Sequence, residues 1–215
     1  LKDQPPLELL FTTEEETGFG GAKNLAIKLK SPTLINLDEE ESHSFCYACQ
    51  AAARVEFIGE IPVVSPPKDY VTLRILVSEL EGGHSGSEIH RSRMNAIRGL
   101  SRAVLDATGG NVYLMGFDAS KGAFNAISKR AEIVMAVDKR VAHRTAGAIK
   151  HWFLNSLDTF KEESRERAHF EYEISELNPG LKAIAPHNAE RFLETVCRIP
   201  NGVIPGTPAV GEPPY

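Results

Sequence analysis

The sequence predicts two fold classes in one chain, an α/β segment followed by an α+β sandwich. In residues 1–60, two short apolar runs flank a segment compatible with a helix. From residue 68 the pattern reads β-α-β-β-α-β-α, and its first six elements match a ferredoxin-like sandwich of antiparallel sheet and helices. The chain has 215 residues, 42% of them hydrophobic, which suits one large domain or two small ones.

The first block is predicted to be a small β-α-β unit. LELLFTT at 7–13 and TLINL at 33–37 are the apolar runs, and the glycine-rich GFGGAKNLAIKL lies between them. Each predicted strand is followed by a group of acidic residues, Glu14 to Glu16 after the first and Asp38 to Glu41 after the second. Ligands of open α/β sheets bind outside the carboxyl ends of strands, so the two acidic groups are expected to meet across one site.

A linker is predicted after this block. The largely apolar stretch FCYACQAAARVEFIGEIPVV at 45–64 leads to Pro66-Pro67, and neither proline can donate to a sheet ladder. We therefore expect a boundary between residues 50 and 66, with domains at 1–60 and 61–199 and a return segment at 200–215.

The second block contains four predicted strands and three predicted helices. The strands alternate apolar and polar residues, and the helices repeat apolar residues at helical spacing. The strands are expected at 69–80, 111–117, 130–137 and 169–175, and the helices at 87–108, 142–168 and 187–199.

Composition excludes several classes of function. The net charge is −5 and the basic residues are scattered, so no nucleic-acid partner is expected. No apolar run approaches the ~20 residues that cross a bilayer, and the first residues lack a signal-peptide pattern. Three cysteines suit a reducing compartment. We expect a cytoplasmic protein with no membrane partner.

Two features could support chemistry. The acidic groups offer the oxygen ligands and spare base of a hydrolytic divalent-metal site, although charge runs are also typical of solvated loops.

In EGGHSG, Gly82, Gly83 and Gly86 surround His84, permit positive φ and leave the imidazole accessible to hydrogen-bond a developing oxyanion. A flexible turn with an incidental histidine is the alternative. The isolated Cys46-Tyr47-Ala48-Cys49 favours structural cysteines over zinc or redox chemistry.

Several stretches together resemble the aminoacyl-histidine dipeptidases of the dinuclear-zinc exopeptidases. They are LELLFTTEEETG, INLDEEE, Cys49, ELEGGHSGSEIH with Asn95-Ala96, FNAISKRA and PNGVI. The resemblance implies that residues 1–60 are part of a catalytic α/β domain and that 61–199 are a ferredoxin-like lid and dimerisation domain.

The resemblance also implies residue roles. Glu15 matches the general base, and Glu16 and Asp38 match zinc ligands of a site with two zinc ions. His84 matches a lid histidine that enters the partner subunit's active site in dimeric relatives, and Asn125 matches an asparagine that holds substrate. The implied partners are a dipeptide such as Xaa-His and a second copy of the chain.

This sequence departs from the family pattern in places. Ser128-Lys129-Arg130 stand where the family has Pro-Arg-Glu, so a role for a basic residue there is doubtful. None of the seven histidines has an aspartate two places later, so the family's His-x-Asp is missing. We therefore interpret the chain as an internal piece of a dipeptidase that is inactive alone and binds no zinc stably. The competing hypothesis is a non-enzymatic ferredoxin-like dimerisation or binding module.

Overall fold

The computed structural model describes residues 6–38, 43, 55–118 and 125–202. The chain divides into two compact units, Leu1–Glu56 and Phe57–Tyr215. The predicted stretch around Cys46 and Cys49, much of the return segment at 200–215 and residues 119–124 fall outside the described residues. None of the described helices is long and apolar enough to cross a membrane.

The first unit contains little regular structure in the part described. Its one helix there, α1, spans Gly20–Lys23, and no strand is assigned between residues 6 and 38. The strands predicted at 7–13 and 33–37 are therefore absent. The first of these segments contacts the chain just before the second through the side chain of Glu8. Its carboxylate accepts hydrogen bonds from the amides of Lys30 at 3.0 Å and Ser31 at 2.6 Å.

The second unit contains a six-stranded antiparallel sheet. In chain order its strands are β1 (Val63–Val64), β2 (Tyr70–Ser78), β4 (Tyr113–Asp118), β6 (Ala131–Asp138), β7 (His169–Glu176) and β8 (Ala183–Ile184). The order across the sheet is β1-β8-β4-β6-β2-β7. A separate two-stranded sheet pairs β3 (Gly83–His84) with β5 (Ala126–Ile127).

Three helices complete the second unit: α2 (Ala96–Thr108), α3 (Ala142–Leu157) and α4 (Pro186–Arg198). The core succession is β2-α2-β4-β6-α3-β7, in which β2 and β6 are the central strands. Each βαβ crossover therefore leaves room for one antiparallel strand between its two strands, which is the split arrangement of a ferredoxin-like sandwich. The predicted α/β and α+β fold class is confirmed.

Period-two alternation positions the core on one face of the sheet. Val71, Leu73, Ile75 and Val77 are buried along β2, and the residues between them are only partly buried. β6 repeats the pattern, so that both central strands present apolar side chains to the same layer of helices. The largest fully buried side chains contributed by the helices are Leu100, Val104, Ile149, Phe153, Leu157 and Leu193.

Two helices have limits different from those predicted. α2 begins at Ala96, nine residues later than expected, because Asn95 caps it by accepting hydrogen bonds from the amides of Ile97 and Arg98. α3 ends at Leu157 rather than at residue 168. Beyond it the chain turns back, and Arg165 hydrogen-bonds Asp158.

Candidate functional site

The acidic turn at Glu14 to Glu16 is closed by backbone hydrogen bonds. The carbonyl of Glu14 accepts from the amide of Phe19 at 2.8 Å, and the carbonyl of Thr13 accepts from Gly21 at 3.0 Å. A Cβ at Gly21 would lie 2.6 Å from the amide nitrogen of Thr13. Gly21 is therefore needed for the close approach that brings α1 against the turn.

The predicted base and metal ligands lie at the surface of the first unit. Glu15, Glu16 and Asp38 are all exposed, and the amide of Asp38 donates to the side chain of Asn36 at 3.0 Å. Among the described residues, no group of three or more His, Cys, Asp or Glu side chains could hold a metal ion. Carboxylate oxygens are suitable zinc ligands, but a zinc site needs about four ligands, more than Glu16 and Asp38 supply.

The second unit brings His84 and Asn125 together. β3 pairs with β5 in a register that places His84 opposite Ala126, and the amide of Ser85 donates to the carbonyl of Asn125 at 2.7 Å. This pairing leaves the side-chain nitrogen Nδ2 of Asn125 3.4 Å from Nε2 of His84. Two residues that the resemblance alone connected are thus neighbours in one short two-stranded sheet.

The imidazole of His84 has one nitrogen occupied by the backbone. Its Nδ1 accepts hydrogen bonds from the amides of Gly86 at 3.0 Å and Ser87 at 3.1 Å. An imidazole nitrogen that accepts cannot carry a proton, so the neutral ring is protonated on Nε2. Nε2–H is therefore a donor, and donor chemistry favours the amide oxygen of Asn125 as the atom that faces it.

This arrangement suits stabilisation of a developing negative charge. The neutral ring of His84 presents an N–H without having to gain a proton, and the ring is exposed. The contact with Asn125 is at the long limit of a hydrogen bond at 3.4 Å, so the N–H can be given up to a developing oxyanion at small cost. The side chain of Asn125, also exposed, offers a second polar group beside it for a substrate amide or carboxylate.

A charged cluster that the sequence did not indicate contacts the loop around His84. Arg93 donates to Glu162 at 2.7 Å and to the carbonyl of Gly82 at 2.7 Å, and its guanidinium lies 3.2 Å from Glu88. The hydrogen bond to Glu162 is the main cause that raises the pKa of Arg93. Glu162 and Arg93 are 69 residues apart, so no local motif could have revealed their contact.

Glu163 forms hydrogen bonds with both ends of the loop around His84. Its two carboxylate oxygens accept hydrogen bonds from the amides of Met94 at 3.0 Å and Glu81 at 3.3 Å. Burial raises the pKa of Glu163, and the bond from Met94 opposes that shift. The turn after α3 thus reaches back to both ends of the loop around His84.

An open groove lies next to the loop. It has a volume of about 650 Å³ and runs between residues 78–81, residues 129–130 and Arg167. Glu79, Glu81, Lys129 and Arg130 give it groups of both charges, and the carboxylate of Glu81 pairs with Arg167.

Comparison with known proteins finds a curated relative of the sequence and solved structures that match the fold. The chain is 29% identical over 206 residues to the cytosol non-specific dipeptidase of Escherichia coli (strain K12), and the match covers 93% of the chain. The resemblance to the dipeptidases is confirmed. The chain spans 41% of the length of that dipeptidase. No protein-family model matches the chain.

The dipeptidase likeness extends to the fold. The aminoacylhistidine dipeptidase of Vibrio alginolyticus matches with a TM-score of 0.56 and 22% identity, over 71% of this chain and 30% of the other. At that identity the structural match shows a shared fold and nothing more. The roles of Glu15, Glu16, Asp38, His84 and Asn125 remain predictions.

Proposed function

We propose that these 215 residues are part of a longer metal-dependent dipeptidase that hydrolyses short unblocked dipeptides such as Xaa-His. The observation that supports the proposal most is the geometry at His84, whose ring presents an N–H donor beside Asn125. The similarity to a dipeptidase along 93% of the chain points the same way. The name of that relative also supports a cytoplasmic location.

In this proposal the acidic turn and the loop around His84 have complementary roles. Glu15 removes a proton from the attacking water, and His84 donates a hydrogen bond to the oxyanion of the tetrahedral intermediate. Asn125 holds the substrate. Two zinc ions would supply Lewis acidity, with Glu16 and Asp38 each giving an oxygen ligand and the remaining ligands coming from residues outside this chain.

The test of catalysis uses the full-length protein encoded by the gene. Glu15→Gln is expected to lower kcat by a factor of about 100 or more, the usual contribution of a general base, while bound zinc measured by elemental analysis is unchanged. Glu14→Gln is the matched control in the same turn and should retain activity. Absence of dipeptide hydrolysis by the full-length protein, or full activity of Glu15→Gln, would contradict the proposal.

We also propose that the protein is a homodimer in which His84 serves the neighbouring subunit. Glu15→Gln and His84→Ala subunits are each expected to be inactive as homodimers. After random mixing, half of the dimers are mixed and each has one complete site, so about a quarter of wild-type activity should return. No recovery on mixing would mean that His84 acts within its own subunit or not at all.

The alternative is a non-enzymatic dimerisation or binding module. It is favoured by one observation: residues 57–202 have a core of their own, built between the sheet and three helices. A gene that starts and stops at these 215 residues would support the module, and a longer gene that encodes a His-x-Asp upstream would support the enzyme.

A further inference from the structure

The loop that presents His84 is held by one nearly buried guanidinium. The side chain of Arg93 is only 7% exposed, although arginine is rarely buried without partners. Its Nη1 donates to the carbonyl of Gly82 at 2.7 Å, two residues before the histidine. Its Nε donates to Glu162 at 2.7 Å, which anchors it to the turn after α3.

Glu88 connects Arg93 to the backbone of His84 itself. One oxygen of the Glu88 carboxylate lies 3.2 Å from Nη1 of Arg93, and the other accepts a hydrogen bond from the amide of His84 at 2.9 Å. The bond from His84 is the main cause that lowers the pKa of Glu88, and the charge of Arg93 adds to it. The arginine thus contacts the loop before the histidine directly and the histidine through Glu88.

The packing leaves no room for a side chain between these groups. Gly83 has φ +129°, and a Cβ there would collide with Nη1 of Arg93 and lie 2.7 Å from an oxygen of Glu88. Glycine is therefore required by both conformation and space. This gives a physical reason for the second glycine of EGGHSG.

We infer that Arg93 is a positioning residue: with Glu88 it fixes the loop so that Nδ1 of His84 stays bonded to the backbone and Nε2–H remains the outward donor. The use of that donor in catalysis rests on the function proposed above, whereas the positioning itself is a property of this chain. Arg93 acts through other groups and touches no substrate.

An arginine is specifically suited to this role. Its Nε donates to Glu162, while its Nη1 contacts the carbonyl of Gly82 and the carboxylate of Glu88. The planar guanidinium fixes the directions of these contacts relative to one another. A lysine has one charged centre on a flexible stem and cannot make these contacts in the same geometry. Arg93→Lys is therefore expected to restore only part of what Arg93→Met loses.

Amide hydrogen exchange measured by NMR on the 215-residue chain tests the inference. The reporters are the amides of His84, Gly86 and Ser87, each bonded to Glu88 or to Nδ1 of the histidine. Arg93→Met and Glu88→Ala should each accelerate exchange of all three by about tenfold or more, because a lost hydrogen bond worth ~1.4 kcal/mol is a factor of ten. Exchange of the β2 and β6 amides should stay unchanged.

Two further variants separate positioning from general loss of charge. Glu88→Gln keeps an acceptor for the amide of His84 and should exchange nearly as slowly as wild type. Arg102→Met removes an arginine that pairs with Asp106 on the exposed side of α2 and should leave the three reporters unchanged. If Arg93→Met fails to fold, Glu88→Ala decides the question, since Glu88 is 31% exposed.

The inference is overturned if Arg93→Met or Glu88→Ala leaves the three reporter amides at wild-type rates, or if Arg102→Met accelerates them equally. In the full-length enzyme, Arg93→Met should lower kcat more than it changes KM, with partial rescue by Arg93→Lys. A full-length protein without dipeptidase activity would refute the proposed function, while the exchange rates would still decide whether Arg93 positions the histidine.

Discussion

Asn95→Ala is expected to destabilise the second unit by about 1 kcal/mol, the typical cost of removing an asparagine from the N-cap of a helix. Oδ1 of Asn95 accepts from the amide of Ile97 at 3.0 Å and from that of Arg98 at 3.4 Å. The first contact has ordinary hydrogen-bond geometry and the second is long, so one bond accounts for most of the effect.

A second contact of Asn95 adds a smaller amount. Its Nδ2 donates to the side chain of Asn201 at 3.0 Å at the exposed surface, where water can replace either partner. We assign it about 0.5 kcal/mol, the low end for a hydrogen bond. The total expected loss is then about 1 to 1.5 kcal/mol. Asn95→Ser keeps a capping oxygen and should lose only the contact with Asn201.

The assay is urea and thermal unfolding followed by the fluorescence of Trp152. It is the only tryptophan in the sequence and lies on α3, which packs against α2 in the same core, so its signal reports on the second unit. A loss of 1 kcal/mol should lower the melting temperature by about 2–4 °C for a chain of this size.

Two results would refute the reasoning. If Asn95→Ala unfolds at the same urea concentration as wild type, the cap does not stabilise α2. If Asn95→Ser is as unstable as Asn95→Ala, the effect does not come from the capping oxygen. In either case the start of α2 at Ala96 would depend on the contacts of Arg93 with Glu162 and Gly82 rather than on the cap.

Two further predictions concern pH. Hydrogen bonds from Arg140 lower the pKa of Asp138 from 3.8 to about 2, so its stabilising contribution is present above pH 3.8 and is lost as the pH falls towards 2. Asp138→Asn should flatten the free energy of unfolding across that window in acid titrations. Burial raises the pKa of Glu163 above 4.5, so the folded state binds the extra proton and wild type loses stability as the pH rises past 4.5. The melting temperature of Glu163→Gln should therefore increase relative to that of wild type as the pH rises past 4.5. A difference in melting temperature that does not change with pH would contradict the raised pKa of Glu163.

The strands of the second unit were predictable because their pattern is local. β2, β4, β6 and β7 begin and end within two residues of the expected limits. Along β2, alternation from Val71 to Val77 is enough to define both the strand and its buried face. The β-α-β-β-α-β order then leaves few ways to arrange four strands and two helices in one sheet.

The limits of α2 and α3 depend on contacts that no local pattern contains. Residues 87–94 have helix-compatible composition, but Arg93 draws them into the loop by binding Glu162, 69 residues away. The charged residues after Leu157 resemble a solvated helix end, yet Glu162 and Glu163 bind the His84 loop. Tertiary hydrogen bonds override helix propensity in both places.

The residues of the candidate site also fall into two groups, those that the sequence indicated and those that only the structure reveals. His84 could be selected from its glycines, and the resemblance added Asn125, which the structure places beside it. Glu88 lies within ELEGGHSGSEIH and Arg93 lies outside every quoted stretch, and no role was predicted for either because their contacts with each other and with the loop exist only in the folded chain.

The missing strands of the first unit have a thermodynamic cause. Leu9, Phe11, Leu34 and Leu37 are 80%, 89%, 77% and 86% exposed, and burying each fully would contribute about 1.5–3 kcal/mol. Strands of an α/β sheet need cover on both faces, which the described residues do not supply. If a longer dipeptidase supplies that cover, the amides of 8–12 and 34–37 should exchange slowly in the full-length protein and rapidly in the 215-residue chain. Rapid exchange in both would mean that these segments are not sheet strands at all, and the acidic groups after them would have no common edge on which to meet.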